Sequence, residues 1–122
     1  MKKPGIIIVD DHKLFRSGLK YILEESNLYQ VMAEASNGLE FLDLLRNFSP
    51  DLVILDINLP DASGWDVARW IEAAMSPIPI IVTSGIRASQ RDMKHFEPKA
   101  FLSKPFGIRQ LLALILQPQL VW

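Results

Sequence analysis

The sequence predicts one α/β domain with a doubly wound, five-stranded parallel sheet, a (βα)5 arrangement. Five short apolar runs, rich in β-branched residues, alternate with segments whose apolar residues recur at helical spacing, which is typical of this fold class. The chain has 122 residues, enough for one core and too few for two, so residues 1–122 are expected to form a single domain. Polar side chains close four of the apolar runs, at the carboxyl ends of the predicted strands.

The first half of the chain predicts three strands and two helices. They are a strand at residues 5–9, a helix at 12–25, a strand at 31–35, a helix at 39–48 and a strand at 52–55. The third strand ends at Asp56, and Pro50 and Pro60 limit it to strand length, which argues against a buried helix. Asp11 is placed to cap the first helix.

The second half continues the alternation more weakly. It predicts a helix at residues 65–75, a strand at 78–83, a short helix at 88–96, a strand at 100–103 and a last helix at 108–116. Pro98 indicates that the fourth helix is short or loosely formed. The last helix and the three residues that end the chain carry more apolar side chains than one buried stripe requires.

Composition limits the class of protein. Apolar residues make up 49% and charged residues 22%, and the formal net charge of −1 gives no indication of a basic nucleic-acid surface. The absence of cysteine excludes disulfides and thiolate metal sites. No run has the length of a membrane span or a signal peptide core, so we expect a cytoplasmic protein without membrane contact. His12 and His95 lack partners at metal-ligand spacing and are interpreted as surface residues.

Chemically useful residues follow four of the predicted strands. They are Asp10 and Asp11, Asp56, Thr83 and Lys104. Taken singly, each also has a structural interpretation: a turn or helix cap for the aspartates, the end of a strand for the threonine, a solvated lysine. Because the carboxyl ends of parallel strands share one edge of the sheet, we expect these residues to converge. Gathered carboxylates repel unless a cation lies among them, and oxygen ligands of this kind suit Mg²⁺.

The order of these motifs resembles the receiver domain of two-component response regulators, which has a flavodoxin-like fold. Asp-Asp follows the first strand, Asp the third, Thr the fourth and Lys-Pro the fifth, so the resemblance covers essentially the whole chain. The opening Val-Asp-Asp-His-Lys-Leu-Phe-Arg-Ser-Gly-Leu also resembles the NarL/LuxR-type branch, which carries a helix-turn-helix output domain.

The resemblance implies a phosphoryl switch rather than a turnover enzyme. Asp56 would accept a phosphoryl group from a histidine kinase or phosphotransfer protein, with Lys104 neutralising charge. Mg²⁺ would be held by Asp11, Asp56, the backbone carbonyl of Asn58 and, partly through water, Asp10. Thr83 and Phe101 would form the switch that carries the signal to the surface.

The partners implied are the kinase and an output, most simply transcription through a DNA-binding domain absent from this chain. The apolar last helix indicates either a homodimer or partner surface, formed with the fourth helix and fifth strand, or a chain cut from a longer protein. Two departures from the family bear on switching. The segment Phe96-Glu97-Pro98-Lys99-Ala100 stands in place of the Gly-Ala pair that most relatives have before the fifth strand, and Phe101 stands where Tyr is common.

Three other functions remain open at this point. A receiver-like module that signals by binding alone would have no need of the full set of site residues. A metal-dependent phosphatase usually carries a second carboxylate two residues after its nucleophile, and here that position is Asn58, whose amide cannot transfer protons as a carboxyl group does. A flavodoxin-like cofactor carrier would need a phosphate-binding loop after the first strand, and none is present.

Overall fold

The computed structural model describes residues 3–61, 66, 67, 69, 71, 78–84 and 100–103. In these residues the elements follow one another as β1 Gly5–Val9, α1 Lys13–Glu25, β2 Gln30–Ala35, α2 Gly38–Leu44, β3 Leu52–Asp56, β4 Ile80–Ser84 and β5 Ala100–Ser103. Residues 66, 67, 69 and 71 have helical backbone, within the third predicted helix. The predicted helices at 88–96 and 108–116 lie outside the described residues.

The five strands form one parallel sheet in the order β2-β1-β3-β4-β5. The predicted parallel α/β fold is therefore confirmed. The chain leaves β1 for the β2 side and returns through β3 on the other side, so the order of the strands reverses beside β1. In open α/β sheets ligands bind in the crevice at such a reversal, beyond the carboxyl ends of the strands.

The central strands β1 and β3 are buried on both faces, and β1, β3 and β4 are apolar up to the polar residues that end β3 and β4. Alternate residues of β1, β3 and β4 point to opposite faces, as the pleat requires. One face carries Ile7, Val9, Val53, Leu55 and Val82, packed with Phe41 of α2 and with Val67 and Ile71. The other carries Ile6, Ile8, Leu52, Ile54 and Ile81, packed with Leu19 and Leu23 of α1.

A bulge interrupts the pairing of β1 with the edge strand β2. Ile6 pairs with Val31 and Ile7 with Ala33, so Met32 is an extra residue on β2. The pairing of β1 with β3 runs without interruption from Ile6↔Leu52 to Val9↔Leu55. The two strands that lead into the acidic residues are therefore held in one continuous register.

Several predicted boundaries differ from the structure by one to four residues, and three of these differences have a local reason. Helix α2 ends at Leu44 rather than residue 48, because amide-to-carbonyl bonds from Arg46 to Asp43 and from Asn47 to Leu44 tighten its end. Strand β4 starts at Ile80 rather than residue 78, since Pro79 has no N–H to donate. Helix α1 starts at Lys13, with His12 at its N-cap position, so the prediction that Asp11 caps this helix is wrong.

None of the helices in the described residues is both long enough and apolar enough to span a bilayer.

Candidate functional site

Three polar side chains are buried among the residues that the structure describes, and all three lie at the carboxyl edge of the sheet. They are Asp10, Asp56 and Thr83, each 1% exposed. Asp56 and Thr83 are paired neighbours on β3 and β4, so their side chains share one face of the sheet. Strand alternation places that face on the side of Ile54, which packs towards α1. Polar groups buried in this way usually serve a site rather than the core.

Four side chains from two separate segments come together at this edge. Ligand atoms of Asp10, Asp11, His12 and Asp56 all lie within 4.8 Å of one another. The convergence of Asp10, Asp11 and Asp56, expected from the strand ends, is thus present. Like charges at such spacing repel, and a divalent cation among them would offset that repulsion, so this donor set could hold a metal ion.

The buried carboxylates are oriented by main-chain amides two residues further along the chain. The His12 N–H donates to Asp10 Oδ1 at 2.9 Å, and the Asn58 N–H donates to Asp56 Oδ1, also at 2.9 Å. Both contacts are turns of the kind that Asp side chains make with their own backbone. They fix the two carboxylates as the chain leaves β1 and β3.

Arg16 supports the loop that carries Asp10 and Asp11. Its Nη1 donates to the Asp10 carbonyl oxygen, and its Nε donates to Glu34 Oε1 of β2 at 3.3 Å. Lys20 adds a second, longer contact to Glu34, at 4.0 Å. These contacts join α1 to β2 beneath the acidic residues and bring a fixed positive charge close to them. Arg16 was not among the predicted site residues, because it contacts a main-chain carbonyl group and residue spacing does not reveal such a contact.

The loop after β3 is held by the start of α2. Asp61 accepts hydrogen bonds from the Gly38 and Leu39 amides at 2.8 and 3.0 Å, and chiefly the first of these lowers the pKa of the Asp61 carboxyl below its ordinary value. Within the same turn, Asn37 caps Glu40 N–H at 2.8 Å. Hydrogen bonds from the Ser36 hydroxyl and then from its amide lower the pKa of Glu40. The amide groups at this helix start thus bind carboxylates, as expected from their partial charge.

Thr83 differs from its two buried neighbours. Its hydroxyl makes no hydrogen bond with any residue in the described part of the chain. A buried donor without a partner costs free energy, and a bound ligand that accepts its hydrogen bond would offset that cost.

The interpretation of His12 is partly wrong. Its side chain is 69% exposed, so it is a surface residue as predicted. However, its Nδ1 lies 3.1 Å from Asp10 Oδ1 and 3.1 Å from Asp11 Oδ1, so it does have neighbours that could share a metal. The turn at Asp10, which folds the ring back towards the strand end, could not be read from residue spacing.

Of the remaining predicted site residues, Asn58 and Phe101 lie within the described part of the chain and Lys104 does not. Asn58 lies two positions after the end of β3, and its backbone N–H donates to Asp56 Oδ1. Phe101 lies in β5 and pairs with Val82; its part in switching stays a prediction. Lys104 lies outside the described residues, one position after Ser103 of β5. The dimer surface, which includes the fourth and last helices, lies largely outside them as well.

Comparison with known proteins identifies the family. The sequence matches the response regulator receiver domain over residues 6–116. It is 35% identical over 112 residues to the transcriptional regulatory protein CusR of Escherichia coli K12, covering 90% of this chain and 48% of CusR. It is 29% identical over 115 residues to the polar-differentiation response regulator DivK of Brucella anthropi, covering 91% of this chain and 92% of DivK.

The fold agrees with solved structures. The signal receiver domain of the response regulator NarL from Mycobacterium tuberculosis superposes with a TM-score of 0.81 at 25% identity, covering 93% of this chain and 96% of that one. The chain therefore spans about half of CusR but nearly all of DivK and of this receiver domain. With the family match spanning most of its length and the acidic residues gathered at the end of β1 and β3, this chain belongs to the response regulator receiver domains of two-component systems.

Proposed function

We propose that this receiver domain accepts a phosphoryl group on Asp56 from a histidine kinase or phosphotransfer protein, in a Mg²⁺-dependent reaction, and thereby switches an output domain or partner. The observation that carries the proposal is the position of Asp56. Its carboxylate is buried at the end of a central strand, within 4.8 Å of ligand atoms of Asp10 and Asp11. A carboxylate in that setting is both a nucleophile and a metal ligand.

The transfer step uses one oxygen of Asp56. That oxygen forms a bond to phosphorus while the bond between phosphorus and the donor imidazole nitrogen breaks, and the electron pair of that bond returns to the imidazole. The Asn58 amide, 2.9 Å from Asp56 Oδ1, orients the carboxylate for this attack. Because phosphoryl transfer passes through a loose transition state, its rate depends mainly on such positioning and on compensation of charge.

The acidic residues would hold Mg²⁺ through Asp11, Asp56 and the backbone carbonyl of Asn58, with Asp10 contributing partly through water. Carboxylates together with water and phosphate oxygens are the ligands that this ion takes. When bound, it supplies positive charge close to the phosphoryl oxygens. Arg16 contributes by holding the Asp10 carbonyl and thereby the loop that presents Asp11.

Three further residues would respond to the phosphoryl group. The Thr83 hydroxyl, which has no partner in the described residues, would donate to a phosphoryl oxygen. Lys104 would neutralise part of the charge, and Phe101 would turn inward as Thr83 moves; both assignments rest on the family resemblance. The chain would then act as a signalling domain and not as a turnover enzyme.

The output we propose is regulation of transcription through a DNA-binding domain attached to the receiver. The support is that CusR, a transcriptional regulatory protein, is about twice as long as the region matched here. DivK, which the chain matches nearly end to end, favours a receiver that instead acts on a partner protein. A homodimer formed through the fourth helix, fifth strand and last helix would be one way to transmit the change.

Incubation with acetyl phosphate and Mg²⁺, followed by intact-mass measurement, tests this proposal. We expect one phosphoryl adduct on the wild-type protein and none on Asp56→Asn, which has nearly the same shape but lacks the nucleophile. Asp43→Asn is the matched control, because Asp43 is a solvent-exposed aspartate of α2 whose side chain pairs with Arg46, and the variant should be phosphorylated as the wild type is.

Omitting Mg²⁺ separates the metal requirement from the nucleophile, since wild-type protein in EDTA should then fail to form the adduct. An adduct that survives in Asp56→Asn would place the phosphoacceptor elsewhere. No adduct on the wild type would favour the receiver-like module that signals by binding alone.

A further inference from the structure

The main chain of Asp10 is held on both sides by contacts that lead to the end of β2. Its N–H donates to the Ala35 carbonyl oxygen at 3.0 Å, and its own carbonyl oxygen accepts a hydrogen bond from Arg16 Nη1. Because the two peptide groups that flank Asp10 are planar, fixing both of them fixes the φ and ψ angles of this residue. The direction in which the chain leaves β1 towards Asp11 is therefore set by these two contacts.

Glu34 orients the guanidinium group that makes the second contact. Arg16 Nε donates to Glu34 Oε1 at 3.3 Å, and the Arg16 side chain is only 15% exposed. A guanidinium group is planar and its N–H groups diverge at fixed angles, so anchoring Nε also sets the direction of Nη1. Glu34 is itself placed by its pairing with Ile8 in the sheet. The edge strand β2 thus reaches the Asp10 main chain through a side chain as well as through its own backbone.

We propose that Glu34 is a positioning residue for phosphoryl transfer to Asp56, and that it acts through Arg16 on the peptide group between Asp10 and Asp11. The inference rests on the proposed function and adds a residue of the edge strand to those that the reaction requires. Phosphoryl transfer depends mainly on the placement of the groups around the phosphorus atom, and a displacement of about 1 Å costs on the order of 100-fold in rate. Loss of either member of the Arg16–Glu34 pair should therefore slow the transfer.

The opposite charges of the two side chains separate positioning from a simple electrostatic effect. Removing Arg16 makes the surroundings of Asp56 more negative, whereas removing Glu34 makes them less negative. If the pair acted only through its charges, the two substitutions would change the rate with an anionic donor in opposite directions. If the pair acts by positioning, both substitutions lower the rate.

Initial rates of phosphorylation by acetyl phosphate, followed by intact mass in saturating Mg²⁺, test this inference. We expect Arg16→Met to lower the maximal rate by at least about 10-fold, with little change in the half-saturating concentration of acetyl phosphate. Glu34→Met should lower the maximal rate as well. Lys20→Met is the matched control, because Lys20 also contacts Glu34, at 4.0 Å, from the next turn of α1, and its rate should stay close to that of the wild type.

Three results would overturn the proposal. A wild-type rate in Arg16→Met would show that the Asp10 carbonyl does not need its donor. A faster reaction in Glu34→Met together with a slower one in Arg16→Met would show an effect of charge alone. Equal slowing in Lys20→Met and Arg16→Met would attribute the effect to the positive charge of α1 and not to the contact with Asp10.

The double variant Arg16→Met/Glu34→Met shows whether Glu34 acts through Arg16. It should be phosphorylated no more slowly than Arg16→Met alone, since Glu34 then has no guanidinium group to orient. Two effects that multiply in the double variant would contradict the link between these residues.

The two proposals fail in different ways. If the wild type forms no Asp56-dependent adduct, the proposed function is wrong. If that adduct forms, and forms at the wild-type rate in Arg16→Met and Glu34→Met, only the positioning roles of these two residues are wrong. Thermal unfolding of each variant sets the temperature below which rates are compared, so that every rate is measured on folded protein.

Discussion

At the scale of single residues, the burial of Asp56 beside Asp10 and Asp11 works against the stability of the metal-free protein. At about 4 Å, two like charges near a protein surface repel by roughly 4 kcal/mol. Hydrogen bonds from main-chain amides orient Asp10 and Asp56 but leave their negative charges in place. The proposed Mg²⁺ would offset this repulsion.

We predict that Asp56→Asn makes the metal-free protein more stable. The amide oxygen can still accept the Asn58 hydrogen bond, while the charge disappears, so the free energy of unfolding should rise by about 1–2 kcal/mol. Urea denaturation in EDTA measures this change. Asp43→Asn, at an exposed position, should change stability by less than about 0.5 kcal/mol. A loss of stability in Asp56→Asn would mean that the crowded carboxylates carry little repulsion.

Gly18 lies away from the acidic residues and allows a prediction about stability alone. It lies within α1, and a Cβ added there meets no atom within 4 Å. Gly18→Ala should therefore raise the free energy of unfolding by about 0.5–1 kcal/mol, because alanine loses less conformational entropy in a helix.

Gly5 provides the comparison for Gly18 in the same urea denaturation. A Cβ at Gly5 would come within 2.4 Å of the Met32 Cε, so that side chain must move and the gain should be smaller or absent. An equal gain at the two positions would show that the space around Gly5 is less restrictive than the structure indicates.

The acidic residues could be predicted from the sequence because each follows an apolar run that ends abruptly. The contacts of the His12 ring could not be predicted, because they depend on a turn in which Asp10 accepts a hydrogen bond from the His12 amide. Residue spacing does not reveal the direction of a side chain after such a turn. The same limit applies to Arg16, whose contact is to a carbonyl group rather than to a side chain.

At the scale of elements, the start of α2 depends on charge supplied by Asp61. Because hydrogen bonds lower the pKa of Asp61 in the folded protein, the stability that they provide is present above its ordinary value of 3.8 and is lost as the pH falls through the lower, folded value. The pKa of Glu40 is lowered in the same direction, chiefly by the Ser36 hydroxyl.

We therefore predict that acid destabilises the wild type more than Asp61→Asn. Between about pH 6 and about pH 3, the melting temperature of the wild type should fall further, because the variant has no charge at this position to lose. Differential scanning calorimetry measures the difference. The variant should also melt at a lower temperature near neutral pH, since an amide oxygen binds the helix start less strongly than a carboxylate. Parallel pH curves for the two proteins would contradict this.

Prediction of the elements was best where apolar runs were continuous and weakest at helix ends. The predicted strand at residues 5–9 matches β1, whereas the predicted second helix ends four residues beyond the observed end of α2. Leu45 and Phe48 continue the helical spacing of apolar side chains and pack against the core, although the backbone has already left the helix. The spacing of apolar residues predicts which side chains are buried, and here the burial of side chains continues past the residue at which helical hydrogen bonding ends.

At the scale of the whole molecule, β1 and β3 form the centre of the structure. Every residue of both strands is buried, and each strand is paired on two sides. The sequence could indicate this burial but not the order of the strands, because an apolar run does not name its neighbours. The parallel sheet followed from alternation with helices, and the order β2-β1-β3-β4-β5 required the coordinates.

We predict that the slowest amide hydrogen exchange occurs in β1 and β3. Opening either strand breaks two ladders and exposes both faces of the core, so their amides should exchange only through global unfolding, while those of α2 exchange through local opening. Native-state exchange followed by NMR at low denaturant measures this. Protection in α2 equal to that in β3 would contradict the prediction.

The bulge at Met32 shows that the edge of the sheet can take up an additional residue. Successive strand residues face opposite sides, so adding or removing one residue within β1 would turn Asp10 away from Asp56 and dismantle the acidic pocket. The edge strand β2 already accommodates one surplus residue without disturbing that alignment. We therefore expect an insertion or deletion of one residue to be tolerated at the edge of the sheet but not within β1, where the register fixes the spacing between the strand and its aspartates.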